Sequence, residues 1–348
     1  MSRLISRENL VKNFSYLSYY LRLDKLHRLA NRGGVTVIFY HDIVERSPIP
    51  ETKLFVDENN FWEHLNEIQK RYEIISFTDL LKGSVPKKNP LILTFDGYSK
   101  SFVKIAEKLS KREVKALFYL QTEPILKGEP HFHQKLYWLF RNLKQVHVKF
   151  KCGHIDFEAD LTDDTLQNTL KAGRFLDVLY EQPNAHELID DLAAQYGVDL
   201  ASFNKKFAPM APEEVHLLAG LEGIEVGSHS HTHPNLSKLD EVELERELRI
   251  SKDLLESWTG RYVIHFCYPY PSGDGNTSIF KCLRDVGYKT ATTTVRAIFF
   301  PNNTSQWPYS IPRFCFSNVP FANAQGQILG IDRFGNYLQA VKENWKIR

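Results

Sequence analysis

The chain has 348 residues, of which 43% are hydrophobic, and its 44 Lys and Arg nearly balance 42 Asp and Glu. A net charge of +2 does not favour nucleic acid or a polybasic membrane anchor. The four cysteines form no CxxC pair, which argues against a cysteine zinc site and favours a reducing compartment. No apolar run reaches the roughly 20 residues of a membrane span, and the N-terminus lacks a signal-peptide core. We therefore expect a cytoplasmic protein without a transmembrane segment, and leave open a peripheral association with the membrane.

The first third of the chain alternates predicted helices and strands. An amphipathic helix is predicted over about 8–30, and further helices over 58–71 and 100–111. Strands are predicted over 35–40, 72–76, 90–95 and 115–120. The runs 35–40 and 90–95 are continuously apolar or β-branched, a pattern typical of strands buried on both faces. His41 and Asp42 follow the first of these strands, and Asp96 follows the other.

The alternation stops between about 125 and 212 and then resumes. The interrupting stretch is more polar and is predicted to be a helical insertion, with helices at 162–180 and 187–196. Beyond it we predict strands at 224–227, 263–266 and 288–292, separated by helices. Because polar residues gather where strands end, the sequence predicts an α/β fold, either a barrel or a doubly wound sheet, with its site on that edge. We predict an N-terminal helical extension over 1–33 and a catalytic domain over 34–348, interrupted by the insertion.

Three histidines lie within five positions in the segment from Gly227 to Pro234. His229 and His233 are four residues apart, so one helical turn or a compact loop can direct both imidazoles at one centre. Neutral imidazole is a common ligand of divalent metals, and two histidines with one carboxylate leave positions open for water and substrate. The sequence therefore predicts a catalytic metal site, against the alternative of a solvated histidine-rich turn.

Three strand ends carry motifs that resemble those of the polysaccharide deacetylases, carbohydrate esterase family 4. The motifs are Thr94-Phe95-Asp96-Gly97-Tyr98, His229-Ser230-His231-Thr232-His233 and Cys267-Tyr268-Pro269-Tyr270. The resemblance extends over about 34–125 and 210–320. It implies a distorted (β/α) barrel of the polysaccharide deacetylase type.

The resemblance also implies metal-dependent hydrolysis of an N-acetyl or similar N-acyl group on an amino sugar or a surface-polysaccharide precursor. Asp96, His229 and His233 would hold a divalent ion, typically zinc, which polarises the acyl carbonyl and activates water. The backbone N–H of Tyr270 would stabilise the oxyanion. The expected partner is a carbohydrate, and a related hydrolase acting on an O-acyl ester or a cyclic amide stays open.

One departure from the family pattern affects the catalytic residues. The family has two adjacent aspartates in its first motif, a base and a metal ligand, whereas this chain has only Asp96. We prefer the ligand role for Asp96, which makes Asp42 the nearest candidate base, with His41 orienting a group or moving a proton. Arg313 is the candidate replacement for the third-motif arginine, where this chain has Cys267. The rival hypothesis is a catalytically inactive carbohydrate-binding or scaffold protein.

Overall fold

The structure is a computed structural model that describes residues 7–49, 52–84, 86, 88–152, 155–180, 182, 184–270, 276–301 and 308–331. Helices and strands alternate along most of these residues. The helices are α1 (Arg7–Tyr20), α2 (Leu23–Ala30), α3 (Glu58–Gln69), α4 (Phe77–Leu81), α5 (Ser101–Ser110), α6 (Thr122–Lys127), α7 (Phe132–Asn142), α8 (Thr165–Leu179), α9 (Ala185–Gln195), α10 (Leu200–Lys206), α11 (Pro212–Gly220), α12 (Glu241–Thr259), α13 (Thr277–Val286) and α14 (Phe321–Ile328). The strands are β1 (Thr36–Tyr40), β2 (Asp42–Val44), β3 (Phe55–Asp57), β4 (Glu73–Ile74), β5 (Pro90–Gly97), β6 (Ala116–Leu120), β7 (Val146–Cys152), β8 (Ile155–Leu161), β9 (Ile224–Ser228), β10 (His265–Cys267), β11 (Thr290–Thr292) and β12 (Phe314–Cys315).

Eight strands form one parallel sheet at the centre of the fold. Its order is β11, β10, β9, β6, β5, β1, β12, and β4 pairs with the first residues of β5. Every residue of β1 and β6 is buried, as expected for apolar runs covered on both faces. A bridge between Thr292 and Ile311 joins the end of β11 to the segment before β12, so the two sides of the sheet approach each other. The predicted α/β class and barrel-like architecture are confirmed.

The N-terminal segment forms two helices where the sequence predicted one. Arg22 adopts a left-handed conformation with φ 55°, which ends α1 before α2 begins because a left-handed residue cannot continue an α-helix. Helix α1 packs against α14. Residues 1–6 and 332–348 lie outside the described residues, and the predicted boundaries at 33 and 34 stay predictions. Among the described helices, none has the combined length and hydropathy of a bilayer-spanning segment.

The predicted insertion contains a strand pair as well as helices. Along the chain, helices α6 and α7 precede and helices α8 to α10 follow the antiparallel pair β7 and β8, a strand pair that the predicted helical insertion did not include. Strand β7 alternates Val146, Val148 and Phe150 with polar residues, a period of two that is typical of a half-buried strand. Phe140, Phe175 and neighbouring side chains form a core for this segment that is separate from the cluster under the central sheet.

Candidate metal centre and active site

A cavity of about 440 Å³ opens at the carboxyl-terminal edge of the central sheet. In a parallel sheet the strand ends share this edge, so residues distant in sequence meet there. Six of the predicted site residues line the cavity, and Arg313 lies behind it, against Asp96. These six are His41, Asp42, Asp96, His229, His233 and Tyr270. The insertion contributes the opposite wall through residues that include His133, Gln134, Tyr137 and Tyr180.

His229 is buried at the end of β9, with one ring nitrogen fixed by the neighbouring strand. Its Nδ1 lies 3.1 Å from the carbonyl oxygen of Cys267. Because a carbonyl only accepts hydrogen bonds, Nδ1 must carry the proton, and Nε2 keeps a free lone pair. Burial and the nearby Arg313 lower the pKa of His229, although the Asp96 carboxylate opposes them. The ring is therefore a neutral nitrogen donor of the kind that metals bind.

The loop after β9 holds His233 in a strained conformation. Ser230 and His233 have φ values of 65° and 63°, and left-handed backbone at a residue other than glycine costs on the order of 1–3 kcal/mol. The loop is held by Glu247 of α12, whose carboxylate accepts hydrogen bonds from the backbone N–H groups of His231 and Thr232 at 2.7 and 2.6 Å. A carboxylate from a neighbouring helix thus stabilises the conformation of the predicted metal-binding loop.

His233 has a buried ring nitrogen that the protein does not satisfy. Its Nδ1 has no hydrogen-bond partner, and its ring centre lies 4.9 Å from that of His229. An unpaired buried polar atom costs free energy unless a ligand or ion satisfies it. The residues His229 and His233 therefore fit a divalent cation. His231, by contrast, does not line this cavity and hydrogen-bonds through Nδ1 to the Thr122 hydroxyl at 2.8 Å.

Asp96 forms a bidentate ion pair with Arg313. Nη1 donates to Oδ1 at 2.8 Å and Nη2 donates to Oδ2 at 2.7 Å, and both side chains are almost fully buried. Burial alone would raise the pKa of Asp96, but the Arg313 guanidinium, with contributions from the neighbouring His229 and His41, holds the pKa below its ordinary value. Arg313 also donates to the Thr94 hydroxyl and the Thr293 carbonyl. This pair keeps a carboxylate ionised beside the histidines.

Asp42 and His41 line the same cavity but differ in environment. Asp42 is 2% exposed and accepts a hydrogen bond from Gln134 Nε2 at 3.3 Å. Burial raises its pKa to about 7, although hydrogen bonds from Gln134 and Ser99 oppose this. His41 donates through Nδ1 to the Lys53 carbonyl at 3.1 Å, and desolvation lowers its pKa to about 4 in spite of the nearby Asp96. Asp42 therefore exchanges a proton near neutral pH, whereas His41 is neutral there.

Cys267 stands where the family's third motif has arginine, and its sulfur lies between Asp96 and Arg313. Its Sγ is 3.6 Å from Asp96 Oδ2 and 2.9 Å from Arg313 Nη2. Among the described residues, Asp96, His229 and Cys267 form a compact group whose ligand atoms lie within 4.8 Å of one another. Burial raises the pKa of the Cys267 thiol far above its ordinary value. A protonated thiol is a poor metal ligand, so this group offers fewer donors than its geometry suggests.

Two histidines of the insertion that the motifs did not indicate lie near His233. The rings of His131 and His133 lie with centres 5.7 and 6.0 Å from that of His233, and His133 lines the cavity. The pattern Pro130-His131-Phe132-His133-Gln134 carries two histidines two residues apart and was the available signal. Aromatic residues at helical spacing in the same segment indicate an ordinary core and mask this signal.

Comparisons with known proteins agree with the motifs. A family model described as polysaccharide deacetylase matches residues 176–291, a range that includes both loop histidines and excludes Asp96. No curated protein sequence matches the chain. Two similar solved structures are the deacetylase PplD of Streptococcus pyogenes in complex with acetate and a polysaccharide deacetylase from Bacillus cereus. Each is 18% identical over 85% of this chain, covering 99% and 69% of those chains, with TM-scores of 0.50 and 0.52.

The structural likeness confirms the fold at a sequence identity too low to carry residue roles. The family model covers the motifs at 229–233 and 267–270, whereas the motif at 94–98 lies outside its range. Together they confirm the predicted resemblance to polysaccharide deacetylases, whose family model matches residues 176–291 and whose fold this chain shares.

Proposed function

We propose that this protein is a metal-dependent hydrolase that removes an N-acetyl, or similar small N-acyl, group from an amino sugar or a surface-polysaccharide precursor. The observation that carries the proposal is the convergence, in one cavity, of two neutral buried histidines with an ionised carboxylate paired to Arg313. Metal-assisted amide hydrolysis needs a Lewis acid and a base at one place, and this edge of the sheet offers residues for both.

His229 and His233 would bind the ion, typically zinc. The orphaned Nδ1 of His233 and the fixed tautomer of His229 suit this role. When bound, the ion supplies polarisation of the acyl carbonyl and a lowered pKa for water.

Asp96 would act as the general base. The sequence favoured Asp96 as a metal ligand, but both of its oxygens accept hydrogen bonds from Arg313, which supports the other role. The guanidinium holds the carboxylate ionised and oriented, and each oxygen retains a lone pair that can accept a proton from water. Arg313 is thus a positioning residue, buried between the rings of Phe39 and Tyr119.

Asp42 would deliver a proton to the leaving amine. A carboxyl group with a pKa of about 7 is partly protonated at neutral pH, which suits general acid catalysis. The backbone N–H of Tyr270, at the cavity wall, would stabilise the oxyanion. His41, neutral and fixed by the Lys53 carbonyl, would accept a hydrogen bond from substrate through Nε2.

A carbohydrate substrate is consistent with the walls of the cavity. The rings of Phe39, Tyr137, Tyr180 and Tyr270 line it, and aromatic faces pack against the apolar faces of sugar rings. The cavity opens to solvent beside the insertion, so part of a longer saccharide can extend outside it.

The test is acetate release from N-acetylglucosamine oligosaccharides by protein loaded with zinc. We expect release that stops on removal of the metal and returns on its addition. Asp96→Asn should lose activity and keep metal, because the base is neutralised while both histidines remain. The matched control is Asp160→Asn in the β7–β8 hairpin, where the side chain is exposed and the activity should not change. Full activity of Asp96→Asn would contradict the role of the base.

The second candidate function is an inactive carbohydrate-binding or scaffold protein. The single motif aspartate favours it, because Asp96 cannot be both base and ligand while paired to Arg313. Stoichiometric metal without acetate release across N-acetylated and O-acetylated oligosaccharides would support this function and contradict the first.

A further inference from the structure

Helices α1 and α2 turn their large apolar side chains away from the rest of the protein. A surface helix of a globular domain ordinarily buries its apolar side and exposes its polar side. Here seven large apolar side chains, on the two helices and the turn between them, are 40–74% exposed, and we refer to them as the outer face: Phe14, Leu17, Tyr20, Leu21, Leu23, Leu26 and Leu29. A single exposed leucine is ordinary, whereas seven such residues between positions 14 and 29 form a concentrated apolar surface of the kind that marks a binding site.

The side of α1 that faces the protein is small and polar. Ser15 and Ser18 are buried, and α1 packs so closely on α14 that a Cβ built at Gly326 would overlap the Ser15 hydroxyl. Tyr19 donates a hydrogen bond from its hydroxyl to Glu67 Oε2 at 3.1 Å. Such a close contact leaves no room for the larger side chains of the outer face.

The side of α2 that faces the protein is charged. Asp24 is buried and pairs with Arg28 of the same helix and with Arg71 of the segment after α3, whose Nε lies 3.5 Å from Asp24 Oδ2. The Arg28 guanidinium also lies over the ring of Tyr72, 5.5 Å from its centre. Turning Leu26 inward would carry Asp24 and Arg28 out of these contacts, and breaking a buried charge pair is costly. The packing of both helices therefore fixes the direction of the outer face.

The exposed charges around the outer face have one sign. Over residues 9–33 the exposed charged side chains are all basic: Lys12, Arg22, Lys25 and Arg32. The acidic residue of this range, Asp24, is buried, and helix α14, which packs against α1, carries no charged residue. Basic residues beside leucine and aromatic side chains are the composition of amphipathic helices that lie in the interface of a bilayer. Each Lys or Arg near an anionic membrane surface adds electrostatic attraction.

The same charges make a second copy of this chain a poorer occupant of the outer face. A two-fold interface places one surface patch against the identical patch of the partner. Lys12, Arg22, Lys25 and Arg32 would then be brought toward their own copies, and like charges repel. The lipid phosphates of an anionic bilayer supply the opposite charge.

We propose that the outer face of α1 and α2 docks on the surface of an anionic lipid bilayer. Its leucines, Phe14 and Tyr20 enter the boundary between headgroups and acyl chains, and the basic residues around them contact lipid phosphates. The buried polar sides of both helices stay against the protein and hold it at the membrane surface. This association does not depend on the proposed catalytic activity, and its test measures binding to lipid alone.

The experiment is flotation of the full chain with vesicles of phosphatidylcholine that contain about 30% phosphatidylglycerol, and with vesicles of phosphatidylcholine alone. The wild type should bind the anionic vesicles at least ~10-fold more tightly than the neutral ones, and this difference should shrink as salt rises from about 0.1 to about 0.5 M.

The apolar part of the contact is tested by Leu17→Ser/Leu26→Ser, which should weaken binding to anionic vesicles at least ~10-fold. The matched control is Leu170→Ser/Leu217→Ser, which removes two leucines of similar exposure from α8 and α11 and should bind like the wild type. Circular dichroism establishes that each variant is folded.

The electrostatic part is tested by Lys12→Gln/Lys25→Gln. This variant should bind anionic vesicles roughly 10–30-fold more weakly than the wild type, with its binding to neutral vesicles unchanged. Lys151→Gln/Lys281→Gln, which neutralises two exposed lysines of β7 and α13, should stay within about two-fold of the wild type.

Several results would overturn the proposal. One is the absence of binding to anionic vesicles, and another is wild-type binding by folded Leu17→Ser/Leu26→Ser. Sedimentation velocity without lipid tests the second copy: a dimer that Leu17→Ser/Leu26→Ser converts to a monomer, in a chain that does not bind vesicles, would assign the outer face to self-association. Vesicle binding that appears only after removal of residues 332–348 would assign the outer face to that segment.

Discussion

Replacement of Arg313 by methionine would leave the Asp96 carboxylate buried without its partner. The two groups are 0% and 2% exposed and share two charge-assisted hydrogen bonds at 2.7 and 2.8 Å. Removing one member of such a buried pair costs about 3–5 kcal/mol, because the other charge stays desolvated. Loss of the bonds to Thr94 and Thr293 adds to this cost. We expect Arg313→Met to lower the Tm by roughly 5–10 °C, and the double variant Asp96→Asn/Arg313→Met to recover most of that loss.

The pH dependence of stability tests whether the unpaired charge of Asp96 causes the loss of stability in Arg313→Met. In the wild type the pair holds the pKa of Asp96 below its ordinary value, so its contribution to stability is present above about pH 4 and is lost as the pH falls through the lowered pKa. In Arg313→Met the guanidinium no longer opposes the effect of burial, so the pKa of Asp96 rises and the folded protein takes up a proton. The stability difference between Arg313→Met and the double variant should therefore shrink as the pH falls from about 8 to about 5.

The assay is thermal and urea unfolding of the metal-free protein, followed by circular dichroism at several pH values. Equal stabilities of Arg313→Met and the double variant at pH 8 would refute the reasoning, since they would show that an unpaired Asp96 carries no penalty. A difference between these variants that does not change with pH would also refute it, because the loss would then come from packing.

Three further predictions concern the walls and support of the cavity. Burial raises the pKa of Asp42 to about 7, so the free energy of unfolding of the wild type should fall as the pH rises from about 4 to about 7. In thermal unfolding with chelator present, Asp42→Asn should lose less unfolding free energy than the wild type over that window, and the difference should be at most about 4 kcal/mol. Glu247→Ala should weaken Zn²⁺ binding roughly 10–100-fold in calorimetry, because two loop N–H groups lose their acceptor, and unchanged affinity would show that the loop holds itself. Gly227→Ala should cost about 1–3 kcal/mol, since its Cβ would lie 2.6 Å from a Tyr119 ring atom; Gly220→Ala, with open space around it, is the matched control in the same unfolding measurement.

The strands of the central sheet could be predicted because strands buried on both faces appear in the sequence as continuous apolar runs. Continuous apolar runs such as 35–40 and 90–95 coincide with β1 and β5 within two residues at each end. Polar residues that interrupt such runs mark the strand ends, and parallel strands bring those ends together. This is why His41, Asp42 and Asp96 could be predicted to meet His229 and were found around one cavity. Their individual roles stay predictions.

Contacts between the insertion and the sheet could not be predicted in this way. The bonds of Tyr98 to His131 and Gln134 cross more than thirty residues of sequence, and no local period reports such a pairing. The contact that bears on the role of Asp96 could not be predicted for the same reason, because Arg313 is 217 residues away in sequence. The direction from which Arg313 approaches decides which face of the carboxylate is free. The left-handed conformation of Arg22, which divides the first helix, likewise depends on tertiary packing, because arginine itself favours helix.

The insertion has an apolar core of its own, and this core has a consequence for how the protein matures. The wall of the cavity that His133, Gln134 and Tyr180 form is complete only after this core has folded and the insertion has docked on the sheet through Tyr98. In a chain whose insertion had not folded, His229 and His233 would face solvent instead of an enclosed cavity. Burial of these histidines would therefore report on the completeness of the whole molecule.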